Sequence, residues 1–146
     1  MQNAQRAAMD AIRRGEVTCV VLQNGETIFR SEKRGVAPLL ELLADDSRPL
    51  MGADVTDKLI GKAAAMLLTL GGTKSVTALV MSEAGRDYLA AHDIAARYET
   101  LTPAILNRAG DGPCPMEAAV AELDDPAEGK AAIQAALMRL RAGQAR

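Results

Sequence analysis

Apolar and polar positions change period several times along the chain, and each change predicts an element. Residues 2–14 place Ala7, Ala8, Ala11 and Ile12 on one side of a helix that Gly15 ends. "VTCVVL" (17–22) is β-branched and apolar on both faces, the pattern of a covered strand. Asn24-Gly25 within "QNGE" (23–26) is a strong signal for a two-residue hairpin turn, so "TIFR" (27–30) is the returning antiparallel strand. Charged "SEKRG" (31–35) is a loop, and "APLLELLADD" repeats leucine at helical spacing behind Pro38. After a connection at 47–53, "DVTDKLIGKAAAMLLTLGG" is apolar nearly all round from Leu59 to Leu70 and predicts the strongest helix, buried and closed by Gly71-Gly72.

The second half alternates. "SVTALVM" (75–81) predicts a strand inside the sheet, because both its faces are apolar. Ser82 is placed to cap the helix "SEAGRDYLAAHD". "IAARYET" (94–100) predicts a further strand, and Thr102-Pro103 a short helical turn. "NRAGDGPCP" is a loop, and helices over 115–123 and 126–141 close the chain. Strands separated by helices imply parallel pairing with helices on both faces, while the opening hairpin adds an antiparallel pair. The expectation is an α/β domain with a mixed sheet of four to five strands, with residues 1–146 forming one unit.

Composition narrows the functional classes. At 146 residues, one domain can bury roughly two-thirds of its unfolded surface. Aromatic residues are only 2% against 49% hydrophobic, so Leu, Ile, Val, Met and many alanines must pack the core. A net charge of -2 draws the chain neither to nucleic acid nor to anionic lipid, and sparse aromatics argue against a stacking platform for single strands. The apolar stretch "AAAMLLTLGG" is too short to span a bilayer, and the opening segment lacks the features of a signal peptide. A cytoplasmic protein is expected. Two cysteines without metal-type spacing make neither a disulfide framework nor a zinc site, so no metal or cofactor is expected.

Several polar clusters carry candidate chemistry. Cys114-Pro115-Met116-Glu117 has the layout of a helix start, with Cys114 as cap and Glu117 placed to reach back to the cap amide. Asp125-Pro126-Ala127-Glu128 repeats that layout with an ordinary cap, so cysteine is the anomaly. A thiol at a helix start has a lowered pKa and suits nucleophilic or redox work; a buried thiol closing a loop is the plain alternative. On the helical reading of "DVTDKLIGK", Asp54, Lys58 and Lys62 share one stripe at the helix start. With Asp57, Ser82, and Asn107-Arg108 before the glycine loop, these residues lie at the strand and helix ends where α/β sheets bind ligands. Lys33, Arg34 and Gly35 precede another helix but lack the glycines of a phosphate loop. The single histidine, His92, suits a structural role at a helix end.

"GADVTDKLIGKAAA", the "VMS" strand end, "ILNR" and "CPMEAAV" together resemble a small bacterial family, domain of unknown function 1893. The resemblance implies a three-layer α/β/α domain with a cytidine deaminase-like fold. Zinc deaminases place His/Cys-x-Glu and Pro-Cys-x-x-Cys at two helix starts. The corresponding places here, around Asp57-Lys58-Leu59 and Ser82-Glu83-Ala84-Gly85, hold neither Cys nor His. The resemblance therefore implies a deaminase-like cleft without zinc chemistry. Three readings stay open: a module binding a polar or nucleotide-like small molecule through Asp57, Lys58, Lys62, Ser82, Asn107, Arg108 and Glu117; an enzyme of unknown reaction using Cys114; and a structural homo-oligomer joined through alanine-rich helices.

Overall fold

The computed structural model describes residues 3–144. The chain runs α1 (Asn3–Arg13), β1 (Cys19–Gln23), β2 (Glu26–Ser31), α2 (Ala37–Ala44), β3 (Asp54–Ile60), α3 (Lys62–Leu70), β4 (Ser75–Ser82), α4 (Glu83–Ala91), β5 (Ala95–Thr102), α5 (Pro115–Val120) and α6 (Pro126–Gln144). The five strands form one mixed sheet in the order β2-β1-β3-β4-β5. β1 is antiparallel to both neighbours, whereas β3, β4 and β5 are parallel.

The hairpin forms at the expected dipeptide. Asn24 and Gly25 take φ of 52° and 82°, and Gln23 pairs with Glu26 across them. Positive φ at both central residues is the geometry that matches strand twist. β4 lies inside the sheet, as its two apolar faces require.

The two faces are covered unequally. α1 alone packs on one side, where Ala8, Ala11 and Ile12 meet Val17, Val20 and Leu22. The other side carries the main core, in which Val21, Val55, Val76 and Ala78 of the sheet meet α2 through α6. The smooth helix α3 lies at its centre, with Ala63 through Leu68 all buried. Those alanines are spent inside the molecule, letting α3 approach its neighbours closely.

Two elements differ from the sequence expectation. Residues 54–60 are a strand, and the helix begins only after Gly61. The β-branched residues Val55 and Thr56 pair on both sides, with β1 and β4, and Ile60 pairs with β4; the buried centre of a sheet is as apolar as a buried helix. Asp54, Lys58 and Lys62 therefore share no helical stripe. Asp54 lies at the far end of β3 and accepts a hydrogen bond from the Ser75 hydroxyl. Thr102-Pro103 starts no helix either: Thr102 ends β5, and its hydroxyl donates to the Ala104 carbonyl at 3.3 Å.

Candidate functional site

At one end of the sheet β1 begins where β3 ends. Cys19 pairs with Asp57, and the Lys58 amide donates to the Thr18 carbonyl at 2.9 Å. Around this junction lies a cleft of about 570 Å³. Val17, Val36, Leu59, Ile105 and Met116 contribute apolar wall, and Glu32, Arg34, Asp57, Lys58, Arg108 and Glu117 contribute charge. The position is the carboxyl edge of the parallel strands, next to the point where strand direction changes.

Asp57 is the most unusual group in the cleft wall. It is 6% exposed, on the sheet face that carries Val55 and the main core. Its Oδ1 accepts from the Lys58 amide at 2.7 Å and, at 3.5 Å, from the Leu59 amide. Burial raises its carboxyl from 3.8 to about 7, against the opposing pull of those amides and of the Cys19 thiol. The same burial, with the facing Asp57 carboxyl, pushes the Cys19 thiol far up and keeps it neutral.

Glu117 has a different task from the one its spacing predicts. The Cys114 amide donates to the Ile105 carbonyl at 3.1 Å, so Glu117 does not cap its own helix. Its carboxylate instead accepts from the Lys62 amide at 2.7 Å and the Ala63 amide at 2.8 Å, at the N-terminus of α3. α3 follows a strand through a glycine and has no capping side chain of its own, so its first amides take a carboxylate from elsewhere. Gly61 makes room for it: a β-carbon there would overlap Glu117 Oε1 and lie 2.5 Å from Ile105 Cδ1.

Five sequence candidates thus line one cleft: Asp57, Lys58, Arg108, Cys114 and Glu117. Cys114 is half-buried at the N-cap of α5 and makes no side-chain capping bond. The other three are not brought there. The Lys62 ammonium donates to the Ala121 carbonyl at 3.1 Å, tying α3 to the end of α5. Ser82 is buried and accepts from the Gly85 amide at 3.0 Å as the cap of α4. Asn107 clasps its own loop, donating to Asp111 Oδ1 at 2.9 Å and accepting from the Asp111 amide at 3.2 Å.

Sequence reasoning missed Cys19, Thr18 and Glu32. Cys19 meets Asp57 only through the strand register, which one sequence does not reveal. Gly61 carried a usable signal, since a glycine inside an apolar helical pattern argues for a boundary. Arg34 was visible beside a helix start and does line the cleft.

The cleft's charge leans positive. Glu117 is engaged with the α3 amides, and Asp57 titrates near neutrality. Among the described residues Arg34, Lys58 and Arg108 have no ion-pair partner, leaving three cations against Glu32. No three His, Cys, Asp or Glu side chains are grouped as metal ligands among the described residues. His92 stacks on Tyr88 with ring centroids 4.2 Å apart and is not among the cleft residues.

No curated protein matches the chain. A crystal structure of a DUF1893 family protein (TM1506) from Thermotoga maritima is similar at a TM-score of 0.80 and 28% identity, over 95% of this chain and 91% of that one. The family model described as TM1506, domain of unknown function (DUF1893), matches residues 7–137, a span that contains every residue lining the cleft. By that match the chain belongs to the DUF1893 family.

Proposed function

We propose that this protein binds a small polar molecule bearing an anionic group in the cleft at the β1/β3 junction. The observation that carries this reading is convergence. Asp57 and Lys58 from β3, Arg34 from the loop before α2, Arg108 from the loop after β5, and Cys114 and Glu117 at the start of α5 surround one hollow. Its volume of about 570 Å³ is that of a small-molecule site.

The parts divide the work chemically. Arg34, Lys58 and Arg108 supply positive charge for a phosphate or carboxylate. The apolar walls suit a compact ring. Asp57, able to hold or release a proton near neutral pH, serves as donor or acceptor to the ring's polar edge. A nucleoside monophosphate has this combination and is the natural probe class. The test is a thermal-shift screen of nucleosides, nucleotides and small carboxylates. Wild type should be stabilised by an anionic member of the panel, and Arg108→Ala and Lys58→Ala should each remove most of that shift. Shifts unaffected by both substitutions would refute the site.

A second reading, an enzyme, is favoured by one observation: a carboxyl titrating near 7 and a half-buried thiol, Cys114, share the cleft wall. The deaminase-like fold implied by the family resemblance also keeps its chemistry at a sheet edge. A zinc-activated water lacks ligands here, because the cleft offers a single cysteine and no histidine. Chemistry at this site would run through Asp57 and Cys114.

A further inference from the structure

The sheet has two outer strands, and they are finished differently. β2 pairs with β1 through an irregular register between Val21 and Leu22, a bulge that disrupts the ladder and twists the edge. β5 has no such device. Its eight residues hold an unbroken register against β4, contain no proline, and leave the outer side without a strand among the described residues. Residues 97–100 are all exposed. A long regular edge of this kind is a template for another strand.

The side chains along β5 select the partner. Successive residues alternate between faces. Arg97 and Glu99 lie on the α1 side, opposite in register to Thr77 and its neighbours, and Tyr98 lies on the other side. Two copies meeting about a two-fold axis perpendicular to the sheet must pair antiparallel, with the axis at one residue. Centring at Arg97 sets Arg97 against its own copy, and centring at Glu99 sets Glu99 against its own copy. Both place like charges directly opposite, which is destabilising. Centring at Tyr98 sets Arg97 opposite Glu99 twice, Ala96 opposite Thr100 twice, and Tyr98 against Tyr98. Here the charges attract and the aromatic pair is a favourable cross-strand contact. The sequence A-R-Y-E-T is thus self-complementary in one register.

We infer that β5 is a homodimer interface, joining two copies edge to edge into one continuous ten-stranded sheet centred on Tyr98. Within each copy Glu99 is already ion-paired with Arg13 of α1. In the dimer it lies between that arginine and Arg97 of the second copy. The interface is separate from the β1/β3 cleft and does not depend on what the cleft binds.

Charge exchange tests the register directly. Sedimentation equilibrium of the full chain should show a dimer. Arg97→Glu, which leaves the Arg13 pair intact, and Glu99→Arg should each weaken it by about tenfold or more, since two symmetric attractions become repulsions. The double variant Arg97→Glu/Glu99→Arg, carrying Arg13→Ala so that residue 99 no longer faces an arginine in its own copy, restores opposite charges across the interface and should restore the dimer. A monomeric wild type, a dimer indifferent to either reversal, or this combined variant no better than the single reversals would overturn the proposal. Amide hydrogen exchange on the unaltered protein gives an independent reading: protection within 95–101 should rise with protein concentration, and protection independent of concentration would contradict the interface.

Discussion

Glu117 caps a helix that begins 55 residues before it: its Oε1 accepts the Lys62 amide hydrogen at 2.7 Å, and its Oε2 accepts that of Ala63. The contact fastens the start of α5 to the start of α3, and Gly61 leaves the space for it. Glu117→Ala should cost ~1–2 kcal/mol, the loss of a cap and two charge-assisted bonds. Gly61→Ala should cost a similar ~1–2 kcal/mol, because the new methyl must drive the carboxylate off those amides. The two losses overlap, so denaturant unfolding of the double variant should show a coupling of ~1 kcal/mol. Simple additivity would mean that Gly61 is not there for Glu117.

Asp57 should make stability depend on pH in an unusual direction. Its carboxyl moves from 3.8 to about 7 on folding. The folded state therefore holds this proton more tightly than the unfolded chain. Its contribution is full below pH ~4, declines as pH rises toward ~7 by at most ~1.4 kcal/mol per pH unit, and is flat above. Asp57→Asn cannot ionise and should lack the decline. The stability of the variant relative to wild type should grow across that window. A constant difference from pH ~4 to ~7 would contradict the burial argument.

The two thiols should react differently. Cys19 is fully buried, with burial holding its thiol neutral, whereas Cys114 is half-buried at the cleft. A disulfide reagent at neutral pH should label one thiol per folded chain, removed by Cys114→Ser, and reach Cys19 only on unfolding. Labelling of both in the folded state would show that the β1/β3 junction opens.

Cys114→Ser itself should leave stability unchanged or raise it by a few tenths of a kcal/mol, because cysteine makes no capping bond here and serine can. Its sulfur packs at the margin of the main core, so Cys114→Ala should cost less than ~1 kcal/mol. Losses of several kcal/mol from both would assign Cys114 to the core.

Local signals were legible in the sequence wherever local physics decides the structure. Asn24-Gly25 turns the hairpin, Ser82 caps α4, and Asp125 caps α6, its Oδ1 accepting from the Ala127 amide at 3.3 Å. What stayed hidden depends on tertiary partners. The segment 54–60 is a strand because β1 and β4 flank it, and an all-round apolar run does not distinguish that from a buried helix. Glu117 fits a capping box by spacing, yet it serves α3, whose glycine start left two amides free. The cleft was legible as an edge of the sheet. Its membership followed from the corrected strand: Asp57 faces the core side, while Lys62, at the first position of α3, points to Ala121.

The most direct test of the central claim, a cleft for an anionic small molecule, is calorimetric titration with the nucleotide or carboxylate giving the largest thermal shift, at pH 6 and pH 8, on wild type and Arg108→Ala. One site per chain should be found, weakened about tenfold or more by Arg108→Ala, as expected for loss of a charge-assisted contact. Affinity should also change between the two pH values, because Asp57 titrates at about 7 in the cleft wall. Binding that ignores both the substitution and the pH, or no binding by any member of the panel, would contradict the account.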